Sequence, residues 1–212
     1  MKVSRFSFNM FGVNTYILWD DISKEAIIID PGMINDNERK IIDNFIESNN
    51  LTLTHLVNTH MHIDHSFGVP YIIQKYNLQL KCNENDQFLA GRLKDQADMF
   101  GLPIAVEDLT IAVNLKDGDI ISIGSEDLHI LQVPGHSPGS IVLYAPKSGF
   151  IISGDVLFFS SIGRSDLPGG NHTQLIKGIQ DKLLTLDPDT IVYPGHGPET
   201  TIGQEKVNNP YL

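Results

Sequence analysis

Residues 59–65 read Thr59-His60-Met61-His62-Ile63-Asp64-His65 and place three imidazoles and one carboxylate in one short segment. Folding alone does not require this density, because His and Asp are weak helix formers and each buried polar group needs a partner. A transition metal does require it, since neutral imidazole binds zinc, iron and related ions and a carboxylate adds a charged oxygen ligand. On an extended segment His60 and His62 point the same way and can bind one ion, which leaves Asp64 and His65 for a second.

Five segments of the chain share one format, in which a short apolar run is followed by small or turn residues and then by Asp or His. These segments are residues 28–32, 57–60, 133–136, 152–155 and 193–196. Apolar, β-branched runs predict buried strands, and Gly or Pro ends them. The polar residues therefore lie just past strand ends, where sites of layered α/β proteins usually occur. One such residue alone would be interpreted as a turn cap, but five together predict a metal site.

These residues resemble the metallo-β-lactamase-fold hydrolases and, within them, glyoxalase II (hydroxyacylglutathione hydrolase). The resemblance covers nearly the whole chain and rests on Asp-Pro-Gly at 30–32, His-x-His-x-Asp-His at 60–65, and His136, Asp155 and His196 in the family's order. It implies a first metal site of His60, His62 and His136, a second of Asp64, His65 and His196, and Asp155 bridging the two ions. It also implies two divalent cofactor ions, with zinc favoured over iron or manganese.

Two adjacent ions that share a carboxylate can hold a water between them and lower its pKa towards neutrality. The expected chemistry is therefore attack of a bridging hydroxide on a carbonyl, and a thioester suits it because a thiolate leaves without a strong general acid. Asp64 has two candidate roles, metal ligand and catalytic proton acceptor, and the resemblance favours the ligand. Asp30 and Thr59 are expected to orient the ligands through hydrogen bonds. For Thr59, a plain strand-end hydroxyl is an equally good interpretation.

The loop of residues 158–170 follows Asp155 and must lie near the metals. Arg164 and Asp166 can form an ion pair that locks this loop, or Arg164 can bind an anionic substrate. The Gly-Arg-Ser-Asp run at 163–166 resembles a compact bacterial glyoxalase II type and also the persulfide dioxygenases of the same fold. Those dioxygenases use one iron, held by the first-site histidines and the equivalent of Asp155.

Three functions therefore stay open: a dinuclear thioester hydrolase acting on a small-molecule hydroxyacylglutathione, a mononuclear iron persulfide dioxygenase, and a metal-binding protein without activity. The complete ligand set favours an enzyme over the last of these. His65 and Asp155 disfavour a true β-lactamase, which most often has Cys at the second position. Residues 197–212 are too few for the C-terminal helical extension of the better-known glyoxalase II proteins, so we expect a compact type that binds glutathione weakly.

Bulk properties set further limits. The 212 residues fit a single domain, 1–212, with an ordinary globular composition of 41% apolar and 19% charged residues. A net charge of −11 argues against nucleic acid, which requires clustered Lys and Arg. We expect no signal peptide and no membrane span, because no apolar stretch is long enough, and one cysteine cannot form an internal disulfide. The expected location is the cytoplasm, and the sequence leaves the oligomeric state open.

The order of predicted elements favours the α/β (α+β) class and a four-layer αββα metallo-β-lactamase sandwich. Strands are predicted at 2–8, 13–19, 25–30, 54–58, 110–114, 119–123, 127–133, 140–145, 149–153 and 190–193. Helices are predicted at 36–48, 68–76, 85–99 and 172–184.

Overall fold

The structure, a computed structural model, describes residues 1–212. The strands are β1 (Lys2–Phe8), β2 (Val13–Trp19), β3 (Glu25–Ile29), β4 (Thr52–Val57), β5 (Leu80–Cys82), β6 (Val113–Asn114), β7 (Ile120–Ile123), β8 (Glu126–Gln132), β9 (Ile141–Ala145), β10 (Phe150–Gly154), β11 (Leu157–Phe158), β12 (Ser161–Ile162), β13 (Ile191–Pro194) and β14 (Thr200–Thr201). The helices are α1 (Asp36–Ser48), α2 (Val69–Tyr76), α3 (Gln87–Ala90), α4 (Leu93–Met99), α5 (His172–Gly178) and α6 (Ile202–Asn208). None of the helices combines the length and apolar character needed to cross a bilayer.

Two six-stranded sheets form the centre of the fold. The first has the order β1-β2-β3-β4-β5-β6 and the second the order β14-β13-β10-β9-β8-β7, while β11 and β12 form a separate hairpin. Strands β3 to β6 run parallel, as do β10 and β13, and the other neighbours within the two sheets are antiparallel. Parallel strands end at the same edge of a sheet, so the residues that follow β3 and β4, and those that follow β10 and β13, are brought together.

The apolar side chains form three layers of core, which confirms the αββα sandwich. Strand β2 shows why: all seven residues are buried, with Ile17 in an outer layer and Leu18 between the sheets. Alternate residues of a strand point to opposite faces, so a strand that is apolar on both faces must be covered on both. Helices α1 and α2 cover the outer face of the first sheet through Ile42, Ile46 and Ile72, and α5 and α6 cover the second through Leu175 and Ile202.

The prediction of one continuous helix at 85–99 was wrong. The chain makes a 3₁₀ turn and α3, breaks at Gly91-Arg92, and resumes as α4. Gly is a poor helix former, and Arg92 has φ −142°, outside the helical region. The break also lets the Gln96 side chain donate to the Leu89 carbonyl (3.0 Å), a backbone acceptor that a continuous helix would use itself.

Several short elements were not predicted. They are β5, the β11–β12 hairpin, β14 and α6, and the strand expected at 110–114 is reduced to β6. Two or three residues carry no readable hydrophobic period, so pairing with a neighbour decides such strands. The helix predicted at 172–184 is α5 followed by a wider π-helical turn, Ile179–Leu183.

Candidate metal centre

The edges of the two sheets are joined where the predicted site residues lie. Ile141 at the start of β9 donates its N–H to the carbonyl of Thr59 (2.9 Å). Asn14 in β2 donates its N–H to the carbonyl of Gly195 (2.7 Å) and its side-chain amide to that of Pro194 (3.0 Å). These bonds hold the loops of the two sheets against each other. As a result, side chains such as His65 and His196 lie side by side although they are more than 130 residues apart in the chain.

The three histidines predicted for the first metal site form one group. His62 Nδ1 lies 2.8 Å from His136 Nε2, which lies 3.2 Å from His60 Nε2. Ligands about 2.0–2.1 Å from a tetrahedral ion are about 3.3 Å apart, so this spacing matches that of ligands around one zinc-sized ion. All three side chains are buried, and no folding role explains three imidazole nitrogens facing one another.

The residues predicted for the second metal site form an adjacent group. His196 Nε2 lies 3.2 Å from Asp64 Oδ2 and 3.3 Å from His65 Nε2, and His65 Nε2 lies 3.7 Å from Asp64 Oδ2. These separations again suit ligands of one ion. Asp64 is therefore close enough to His65 and His196 to act as a ligand of the same ion, and its carboxylate lies on the side of the cluster that opens to the cleft. Its carboxylate is 16% exposed, against 0% for the His65 ring.

Asp155 lies between the two groups. Its Oδ2 is 3.5 Å from His136 Nε2 and 3.6 Å from His196 Nε2, and its Oδ1 is 3.4 Å from His65 Nε2. Oδ1 is buried and has no hydrogen-bond partner. A buried carboxylate oxygen without a partner is costly unless a cation satisfies it, so the donor set fits two adjacent metal ions with Asp155 between them.

The outward-facing nitrogens of four histidines are held by oxygen atoms. His65 Nδ1 donates to Asp30 Oδ2 (3.0 Å), His136 Nδ1 to the Arg164 carbonyl (2.7 Å) and His196 Nδ1 to the Phe11 carbonyl (3.1 Å). The fourth, His60 Nδ1, lies 3.1 Å from Thr59 Oγ1. Each contact favours a proton on Nδ1 and leaves the Nε2 lone pair directed at the cluster, as in most histidine–metal sites.

Asp30 and Thr59 make the contacts expected of residues that orient ligands. Asp30 Oδ1 accepts the Thr59 N–H and Asp30 Oδ2 accepts the Thr59 hydroxyl, both at 2.7 Å. Because the Thr59 hydroxyl proton is used in this way, its oxygen accepts from His60. Asp30 has a positive φ of 50°, an uncommon conformation that the Thr15 hydroxyl supports by donating to the Asp30 carbonyl (2.6 Å).

Burial and charge set the protonation states. Burial and then the nearby His136 imidazole lower the pKa of His62 to about 3, and burial with the neighbouring imidazoles holds the pKa of His60 well below its ordinary value. Burial alone would lower the pKa of His65, but the carboxylates of Asp64, Asp155 and Asp30 raise it well above the ordinary value. His60 and His62 are thus neutral donors, whereas the carboxylates around His65 favour a positive charge beside them.

Arg164 and Asp166 form the ion pair considered from the sequence. Arg164 Nε and Nη2 donate to the two carboxylate oxygens of Asp166 at 2.7 and 2.8 Å. Both side chains are mostly exposed, so the pair contributes little to stability. Arg164 contacts the site through its backbone, because its carbonyl accepts from His136.

Sequence reasoning missed two buried residues that hold the metal-binding loops. Asp86 accepts hydrogen bonds from Met61 N (3.0 Å), Ser137 Oγ (2.7 Å) and Gly139 N (2.6 Å) and so connects the loops that carry the first-site histidines. Gln96 in α4 accepts the Ile63 N–H (3.0 Å). Asp86 comes four residues after the three-residue strand β5, in which Lys81 interrupts the apolar residues, so the format of the other site segments did not mark it in the sequence.

Asp86→Asn is expected to weaken metal binding by the first-site histidines on the order of 10–100-fold, as loss of an outer partner of a metal ligand usually does. In either orientation of the new amide, its NH₂ group would face a donor that Asp86 now accepts from, Met61 N or Gly139 N. The loops that carry Met61 and Gly139 would therefore be held together less tightly. Zinc affinity would be measured by competition with a chromophoric chelator. The matched control is Glu84→Gln, an exposed acid two residues upstream. Equal zinc affinity in the two variants would contradict the assignment.

The match to the family model of the metallo-beta-lactamase superfamily covers residues 9–196. The chain belongs to the metallo-β-lactamase superfamily. Members of this superfamily are typically metal-dependent hydrolases, and the matched segment contains all seven candidate ligands.

Three superfamily members illustrate the range of similarity. The hydroxyacylglutathione hydrolase GloC of Haemophilus influenzae is 39% identical, and the alignment covers 100% of this chain and 98% of that protein. The crystal structure of TTHA1623 in a di-iron-bound form has a TM-score of 0.86 and 31% identity, covering 99% of this chain and 100% of that one. The crystal structure of BLEG-1 B3 metallo-beta-lactamase also has a TM-score of 0.86, with 34% identity, and covers 100% of this chain and 99% of that one.

Proposed function

We propose that this protein is a dinuclear metal-dependent hydrolase that cleaves a thioester, such as an S-(2-hydroxyacyl)glutathione, to a hydroxy acid and a thiol. The observation that carries the proposal is the pair of ligand groups with the Asp155 carboxylate between them. Similarity over the full length of the chain to a hydroxyacylglutathione hydrolase supports the substrate class.

The cleft above the cluster suits hydrolysis of a small molecule. When bound, two divalent ions supply an activated water and polarise a carbonyl oxygen. The cleft has a volume of about 210 Å³, and Phe11, Phe100 and Leu167 line it beside the candidate ligands. These apolar walls reduce competing water, while Asp64, at the open side of the cluster, lies where it can hold a proton during turnover. A thiolate leaving group needs no further acid.

The charge of the cleft supports tolerance for different thiol carriers. Arg164 is the one arginine or lysine among the lining residues, and Asp166 already pairs with it. Glutathione carries two carboxylates, and this cleft has no unpaired arginine or lysine that could bind them. The thiol portion of the substrate is therefore expected to add little affinity, and the acyl end to be recognised.

The experiment compares lactoylglutathione with lactoyl-N-acetylcysteamine on zinc-loaded protein. Both should be hydrolysed, with kcat alike and KM values within about tenfold, as expected when the differing part of the substrate makes few contacts. A far lower KM for the glutathione thioester would contradict carrier tolerance and leave the hydrolase assignment intact. Failure to hydrolyse either thioester would refute the proposed function.

Two other activities belong in the same experiment. A persulfide dioxygenase needs one iron, which His60, His62 and His136 could hold beside Asp155. Oxygen uptake on glutathione persulfide by iron-loaded protein, without thioester hydrolysis, would transfer the assignment to that class. Similarity to a protein described as a B3 metallo-β-lactamase makes a chromogenic cephalosporin the second comparison substrate. Faster hydrolysis of the cephalosporin than of the thioesters would likewise replace the proposal.

A further inference from the structure

The turn between β1 and β2, residues 9–12, lies against the residues of the second metal site. Asn9 begins this turn with φ 52°, in the left-handed region that asparagine adopts more readily than most residues. The Asn9 side-chain oxygen accepts from the Phe11 N–H (2.9 Å), and the Gly12 N–H donates to the Asn9 carbonyl (3.3 Å). The amide oxygen is therefore used within the turn, which leaves the Asn9 NH₂ group to bond to other segments.

That NH₂ group bonds to two loops that carry residues of the site. It donates to the Gly32 carbonyl (2.9 Å) and to the backbone carbonyl of Asp64 (3.1 Å), a candidate ligand of the second ion. Gly32 has no room for a side chain, because a Cβ would lie 2.9 Å from the Asp64 carbonyl oxygen and 3.0 Å from Asn9 Nδ2. The glycine of the Asp-Pro-Gly motif thus lets Asn9 reach the backbone of Asp64.

The same turn holds a second candidate ligand, His196. His196 Nδ1 donates to the Phe11 carbonyl (3.1 Å), and Val13, the residue after the turn, forms an isolated β-bridge with His196. Because Asn9 binds the N–H of Phe11, it restrains the residue whose carbonyl orients the His196 ring. The hydrogen bonds of the first-site histidines involve other residues, so the turn contacts one metal site and not the other.

Helix α1 anchors the turn on its other side. Glu38 Oε1 accepts the Asn9 N–H (3.0 Å), and Glu38 Oε2 accepts the Ile34 N–H (2.7 Å). Both carboxylate oxygens are acceptors, whereas a glutamine at position 38 would place its NH₂ group against one of these two donors. The position of Asn9 over the second metal site therefore depends on the start of α1 as well as on the turn.

We infer that Asn9 is a positioning residue for the second metal ion, which holds the backbone of Asp64 directly and the ring of His196 through Phe11. The inference rests on the dinuclear site of the proposed function and is independent of the substrate. A change at Asn9 should therefore separate the two ions, because the second would bind more weakly while the first binds as before. A residue that served only the overall fold would affect both ions alike or neither.

The first test removes the side chain and keeps the backbone conformation accessible. Glycine adopts a positive φ readily, so Asn9→Gly deletes the side-chain hydrogen bonds without straining the turn. In stepwise zinc titrations against a chromophoric chelator, the affinity for the second zinc should fall on the order of tenfold, as for other outer partners of metal ligands, with little change for the first. The matched control is Asn77→Gly, an exposed asparagine with the same φ of 52° at the end of α2, which should leave both affinities unchanged.

The second test uses metal-free protein labelled with ¹⁵N-histidine. Asn9→Asp keeps an oxygen that accepts from Phe11 but sets a second, negatively charged oxygen against two backbone carbonyls. The His196 Nδ1–H resonance should therefore shift in Asn9→Gly and stay near its wild-type position in Asn9→Asp, while affinity for the second zinc falls in both. Glu38→Gln, which leaves Asn9 in place, should lower that affinity by a smaller factor.

The zinc titrations also distinguish failure of this inference from failure of the proposed function. A lower free energy of unfolding in Asn9→Gly with both zinc affinities unchanged, or equal losses for the two ions, would overturn the positioning role and leave the hydrolase proposal intact. Selective loss of the second zinc, in a protein whose wild type hydrolyses no thioester, would support the positioning role and refute the substrate assignment. A wild type that holds one zinc at saturation would refute the dinuclear site and the inference with it.

Discussion

Replacing Asp155 with Ala is expected to remove both metal ions and abolish turnover. The two carboxylate oxygens face His65, His136 and His196, so this one change takes a ligand from each group. The loss of metal affinity should exceed the 10–100-fold typical of outer-partner changes, since a direct contact is lost. The measurement is metal per chain by elemental analysis after dialysis against a buffered concentration of free zinc.

Two comparison variants separate this effect from general damage. His196→Ala should leave one metal per chain, because it affects only the second group. Asp189→Ala removes an exposed carboxylate outside the site and should retain two metals and full activity. Two metals and near-normal turnover in the Asp155 variant would show that Asp155 does not lie between the ions. One metal per chain in the wild type at saturating zinc would remove the dinuclear proposal.

Asp30→Asn is expected to produce the next largest loss, although Asp30 does not face the cluster with its own carboxylate. Three donors converge on Asp30: the Thr59 N–H, the Thr59 hydroxyl and His65 Nδ1–H. The NH₂ group of an asparagine at this position would face at least one of these donors in either orientation of the amide. If that group faces His65, the ring must accept at Nδ1 and carry its proton on Nε2, the atom directed at the cluster, which blocks metal binding.

The expected result is a decrease in affinity for the second zinc on the order of 100-fold, with a smaller change for the first. The free energy of unfolding of the metal-free protein should fall by about 1–3 kcal/mol, the usual cost of an unpaired buried donor. Stepwise zinc titration and urea unfolding would measure the two effects. The matched control is Asp36→Asn, an exposed acid at the start of α1. Unchanged binding of both ions would show that Asp30 does not orient His65.

Much of the fold could be predicted because its long elements have clear periods. Strand β2 and helix α1 have the bounds predicted for them, 13–19 and 36–48. The Asn35 side chain accepts from the N–H groups of Asn37 and Glu38, as an N-cap should. The prediction of one helix at 85–99 was wrong because it gave Gly91, a poor helix former, too little weight. The sequence also carries no information about the Gln96 side chain, which accepts from a backbone N–H more than thirty residues away.

The features of the candidate site likewise fall into those that the sequence predicted and those that depend on tertiary contacts. The sequence by itself determined which residue types are available and that they follow strand ends, because ligand chemistry and strand termination are local properties of the chain. Only the tertiary structure decided which nitrogen of each histidine faces the cluster, since that depends on distant partners such as Asp30, the Arg164 carbonyl and the Phe11 carbonyl. It also decided that Asp86 joins two loops and that His62 Nε2 is buried without a hydrogen-bond partner. These features arise from contacts between segments far apart in sequence, where burial makes each hydrogen bond, or its absence, energetically significant.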